Sequence, residues 1–132
     1  MFSIHAYISA SDVLPLDVLK QTLARLFHGS HSASPEISSN PLPFGGEPRL
    51  IFLWPTWSFD VSCESGEAVE DDAAFCSRES GIVFLSGLPN HRLRFVFADD
   101  EEREFTNHII WIVDWLKEIP SAVIFDEAGK PW

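Results

Sequence analysis

The chain has 132 residues with 9 basic and 20 acidic side chains, a formal charge of −11 at neutral pH. A chain of this length buries enough surface for one core and leaves no room for a second domain, and 45% hydrophobic residues exclude wholesale disorder. The charge disfavours direct binding to nucleic acid or anionic lipid, both of which need Lys and Arg to neutralise phosphate, and it favours a basic partner.

Residues 2–9 alternate Phe2, Ile4, Ala6 and Ile8 with Ser3, His5, Tyr7 and Ser9, the period of a half-buried strand. Ahead of them there is no basic region or long apolar run of a signal peptide, so the expectation is a cytoplasmic protein. Pro15 suits a first helical turn, and Leu16, Leu19, Leu23 and Leu26 recur at spacings of three and four. These predict a helix over about 14–28, with Gly29 as its left-handed cap. From Gly29 to Pro48 five serines, four prolines and three glycines give a loop, long enough to be functional or loosely ordered.

Arg49 to Trp54 reads as an apolar strand and Pro55-Thr56 breaks it. Trp57, Phe59, Val61 and Cys63 then alternate with polar residues in a second strand, with Trp54, Trp57 and Phe59 expected in the core. Gly81–Ser86 and Arg92–Ala98 predict two more strands joined by a hairpin loop at 87–91. Asp99 or Asp100 is a natural N-cap for a helix over about 100–119, whose stripe is Phe105, Ile109, Ile112, Leu116 and Ile119. Pro120 ends it, Ala122–Phe125 forms a last strand, and Asp126–Gly129 forms a turn. The order predicts an α+β fold: a largely antiparallel sheet with two helices on one face, ferredoxin-like (split βαβ) or a decorated relative of that plan.

Chemistry-bearing motifs are sparse. Only His28 and His31 stand close together, and nothing nearby in sequence completes a metal site. No nucleophile elbow, phosphate loop or dinucleotide fingerprint occurs, so no catalytic residue, metal or cofactor is assigned. Cys63 and Cys76 match neither zinc nor redox spacing and are expected as free thiols in a reducing compartment.

Charge and aromatic placement say more. No Lys or Arg lies between Arg49 and Arg78, while Asp60, Glu64, Glu67, Glu70, Asp71 and Asp72 fall there; Asp99, Asp100, Glu101, Glu102 and Glu104 form a second cluster around Arg103. Both flank strands, which would let them share one rim of the sheet. At about 100° per residue, Trp111 falls about 140° from Leu116 on the final helix, leaving Ile110, Trp111 and Trp115 as an apolar patch turned from the sheet.

The function expected is therefore an acidic, non-enzymatic protein-binding module that neutralises a basic protein such as a nuclease toxin or other effector. Small bacterial immunity proteins share this profile of size and charge as a class. The expected contact residues are Glu67, Glu70, Asp71, Asp72, Asp99, Asp100, Glu101, Trp111 and Trp115, with a homodimer through Ile110, Trp111 and Trp115 as a further use of the patch. The alternative is a small enzyme or ligand-binding domain whose site lies between the sheet and the 29–48 loop, using His28, His31 or a carboxylate.

Overall fold

A computed structural model describes residues 1–28, 34–39 and 48–132. Six antiparallel strands form one sheet: β1 (Phe2–Ile8), β2 (Glu36–Ser39), β3 (Arg49–Leu53), β4 (Ser58–Ser65), β5 (His91–Phe97) and β6 (Val123–Asp126), ordered β2-β3-β4-β5-β1-β6. Helices α1 (Leu16–Leu26), α2 (Glu67–Ser80) and α3 (Thr106–Glu118) complete the fold. The α+β class and antiparallel sheet follow the sequence reading. β5 and β6 flank β1 and are joined through α3, so a helix crosses over a strand that comes from elsewhere in the chain.

Alternation along β1 decides the layering. Ile4, Ala6 and Ile8 join Leu50, Phe52, Phe59, Val61, Leu93, Phe95 and Phe97 on one face, where Leu19 and Leu23 of α1 and Ile112, Val113 and Leu116 of α3 close the main core. Trp54, Trp57 and Phe59 lie in that core, as expected. Tyr7 points the other way, into a smaller cluster with Val69, Ala73 and Cys76 of α2 and Phe125 of β6. Residues of α1 and α3 therefore pack on one face, and α2 covers part of the other.

One helix was not expected from sequence, and three sequence expectations change. The stretch 67–80 is helical, ended by Gly81 at φ 76° with its N–H on the Ser77 carbonyl; its buried stripe, Val69, Ala73 and Cys76, is thin because alanine and cysteine carry little apolar bulk. Residues 81–90 form no strand, so the hairpin expected at 87–91 between 81–86 and 92–98 is not formed, and β4 leads to β5 through α2 and this segment. Within the 29–48 stretch, Glu36–Ser39 pairs with β3 as a short strand; residues 29–33 and 40–47, including the expected cap Gly29 and the candidate His31, lie outside the described residues. The final helix starts at Thr106 and not near 100. Asp100 does accept the Glu104 and Phe105 amides at 3.0 and 2.9 Å, but Arg103 at φ 58° interrupts right-handed geometry between that turn and the helix.

Candidate functional site

Under α2 the second sheet face holds a buried polar cluster. Arg92 of β5 is only 7% exposed, because alternation turns it from the main core into the space that α2 roofs. Its Nε–H donates to Glu64 Oε1 at 2.9 Å, and Nη1 donates to Asp72 Oδ2 at 2.9 Å and to the Tyr7 hydroxyl at 3.2 Å. The guanidinium carbon stands 5.6 Å from the Tyr7 ring centroid. Burial pulls the Arg92 pKa down, but the hydrogen bonds from Glu64, Asp72 and Tyr7 outweigh it and the net shift is upward. The cation is therefore permanent, and both its carboxylate contacts are internal to the fold.

Tyr7 is 1% exposed, and burial pushes its pKa up to about 12 against the pull of Arg92. Its hydroxyl stays protonated and lies 3.9 Å from Cys76 Sγ. His5, hydrogen-bonded to Ser3 Oγ at 3.0 Å, has its pKa lowered by burial and then by Arg92 and Arg94. A cleft of about 220 Å3 opens here, walled by His5, Tyr7, Asp72, Cys76 and Arg92 on one side and by the turn at 126–129 on the other. Among the described residues no three His, Cys, Asp or Glu side chains are grouped to hold a metal ion. Cys63 and Cys76 are not joined in a disulfide and lie on opposite sides of the sheet.

The outer surface of α2 is the reverse of its inner one. Glu67, Glu70, Asp71 and Glu79 are exposed, with Arg78 as the helix's own cation. Asp72 is exposed too, yet its carboxylate is engaged by Arg92. The segment after α2 then runs back to the helix's start, where the Gly66 amide donates to Asn90 O at 2.9 Å. Along it Ile82 and Phe84 turn inward onto the smaller cluster, and Phe84 packs its ring 6.0 Å from Tyr7. Val83 and Leu85 turn outward and are 74% and 99% exposed. The stretch thus alternates in its facing like the strand expected there, although no strand pairs with it. Phe75 on α2 is 49% exposed, and a groove of about 590 Å3 separates the 83–90 segment from residues 9–12 and 120–123.

The nine expected contact residues do not form one surface. Glu67, Glu70, Asp71 and Asp72 lie on α2, entered from Ser65, which pairs with His91 at the start of β5. Asp99, Asp100 and Glu101 follow Phe97 at the other end of that strand, about 20 Å away at the rise of an extended chain. Asp99 pairs with the Met1 amino group, and Asp100 is spent on backbone amides. Trp111 and Trp115 belong to α3, across the sheet from α2. Trp111 is half-buried, its ring 5.1 Å from His108 and 6.4 Å from Phe27, while Ile110 is 48% exposed. The outward apolar residues Phe75, Val83 and Leu85, and the Arg92 cluster, were not singled out by sequence. By sequence, 81–86 reads as a paired strand and Arg92 only as the start of the next one.

His108, 4% exposed within this aromatic group, gives a pH prediction. Its pKa is lowered by burial, with Asp100 opposing. The unfolded chain therefore binds the proton more tightly, and the stability that His108 contributes is full above the unfolded value of about 6.5 and falls as pH drops towards the folded one. We expect urea midpoints to fall between pH 7.5 and 5.5 and His108→Phe to flatten that slope; an unchanged slope contradicts the burial assignment. His5, shifted in the same direction, adds to that slope.

No protein-family model, curated protein or solved structure matches the chain. No helix among the described residues is long and apolar enough to cross a membrane.

Proposed function

We propose that the protein is an acidic binding module that neutralises a basic protein, an immunity-type inhibitor of a toxin or effector such as a nuclease, and that it docks through α2 and the segment 83–88. The observation that carries this reading is the division of charge across α2. The buried arginine beneath the helix is matched internally by Glu64 and Asp72, and Glu67, Glu70 and Asp71 form no ion pair among the described residues, so their negative charge faces outward. Phe75 on the same helix, and Val83 and Leu85 on the segment that follows it, offer apolar area that a partner could cover. Like-signed clusters of this kind steer a basic partner and speed its association. That Cys63 and Cys76 are not joined in a disulfide supports a cytoplasmic setting.

Within the same reading, β1, β4, β5, β6, α1 and α3 form a ferredoxin-like (split βαβ) core, and β2, β3 and α2 decorate it. The order β4-β5-β1-β6 and the placement of α1 and α3 on one face support this. A shared plan carries no function by itself; the α2 surface does. The cleft walled by His5, Tyr7, Asp72 and Arg92 favours a second reading, a small-ligand site with a lining other than the His28, His31 and 29–48 loop expected from sequence.

The test compares wild type with a Glu67→Lys/Glu70→Lys/Asp71→Lys variant, leaving Asp72 untouched because it supports the fold. Both are immobilised and exposed at low salt to lysate from cells that express the protein. Wild type should retain a basic protein that salt releases, and the variant, with an unchanged circular dichroism spectrum, should associate with it about 10–10³-fold more slowly. Equal retention by both would remove α2 from the docking surface.

A further inference from the structure

On the α3 side of the sheet, away from the α2 surface, a notch of about 280 Å3 is lined by Leu26 of α1 and by Trp111, Asp114, Trp115 and Glu118 of α3. Trp111 and Trp115 are one turn apart, as are Asp114 and Glu118, and at 100° per residue the four fall within an arc of about 100°. Two indoles and two carboxylates therefore share one concave patch. Asp114 and Glu118 are exposed and form no ion pair among the described residues. Phe27 and His108 pack against Trp111 and fix its ring at the edge of the notch.

We propose that this notch is a receptor for the side chain of an arginine on a basic polypeptide. Each part of the lining matches a part of that group. A guanidinium is planar and weakly hydrated, stacks on an indole face, and offers a fork of N–H donors to a carboxylate. Leu26 and the indole edges suit its aliphatic stem. The charge selects a cation, which separates this occupant from a second copy of the chain meeting the same tryptophans through apolar contact alone.

The notch lies across the sheet from α2 and does not depend on the α2 reading. The probe is N-acetyl-arginine amide, titrated against the citrulline analogue, which keeps the shape and lacks the charge. The readout is the indole N–H resonances of Trp111 and Trp115, assigned from Trp111→Phe and Trp115→Phe. We expect arginine to shift both resonances saturably, citrulline to leave them in place, and Asp114→Asn/Glu118→Gln to weaken binding roughly tenfold while the fold is retained. The Glu67→Lys/Glu70→Lys/Asp71→Lys variant should titrate as wild type does, so failure of α2 docking and failure of the notch are separable. No shift with arginine, or equal shifts with citrulline, overturns the proposal. Resonances that move with protein concentration alone, with dimer seen by sedimentation, would also overturn it in favour of self-association through Ile110, Trp111 and Trp115.

Discussion

Arg92→Met is expected to lower folding stability by about 2–4 kcal/mol, near the bottom of the range for breaking a buried ion pair because one partner reaches solvent. The two carboxylates differ in this respect. Glu64 is 18% exposed at its side chain, and Asp72 is 58% exposed. Without the guanidinium, Glu64 keeps a charge in a partly desolvated place and Tyr7 loses a buried hydrogen-bond partner, whereas Asp72 can turn to water. Methionine retains most of the aliphatic bulk, so the loss measures charge and hydrogen bonding more than a cavity. Urea unfolding should show a midpoint lowered by roughly 1–2 M at an unchanged slope. Asp72→Asn should cost less than Glu64→Gln, and Arg92→Met combined with Glu64→Gln should be less damaging than the sum of the two. A loss below about 1 kcal/mol for Arg92→Met would mean that the cluster behaves as a surface ion pair and that α2 is held by Val69, Ala73 and Cys76 alone.

The second large effect is expected on the other face. Trp57→Ala should cost about 3–5 kcal/mol, the usual range for deleting a buried large aromatic side chain. Trp57 is 3% exposed, stacks on Phe105 at 4.8 Å and 12° and on Phe97 at 6.0 Å and 11°, and donates its indole N–H to Ala98 O at 3.0 Å. It thus ties the start of β4 to the end of β5 and to the residue that precedes α3. Trp57→Phe preserves an aromatic ring and removes that hydrogen bond, so about 1–2 kcal/mol is expected. Near-ultraviolet circular dichroism and chemical denaturation of the two variants check this. If alanine and phenylalanine cost the same, the hydrogen bond and not the stacking fixes this corner.

The main sheet was legible because its residues alternate strictly: Phe2 to Ile8 and Arg92 to Phe97 need only period two to be placed, and both landed within a residue or two of their ends. The α2 helix was not read, although Gly66 and Gly81 bracket it and Glu67 and Glu70 favour its first turn. Its inner face is made of small residues, so hydrophobic periodicity was faint while the run of acids was loud. The same run drew attention to Asp72 as a docking residue, when sequence cannot show that Arg92, twenty positions away, lies beneath it. Periodicity on the last helix foresaw Ile112 and Leu116 in the core but placed Trp111 fully outward. Its contact with Phe27 depends on how α1 lies against α3, which spacing within one helix does not contain. The acidic stretches were visible by composition, whereas their separation to opposite ends of β5 required the strand register.

The division of charge across α2 is the central claim, and hydrogen–deuterium exchange on the protein alone and bound to its captured basic partner tests it most directly. The account predicts slowed exchange on binding in residues 67–80 and 82–90, weakened by salt, with the turn at 99–104 unchanged. Protection confined to that turn or to α3, with α2 exchanging as freely as before, would contradict it.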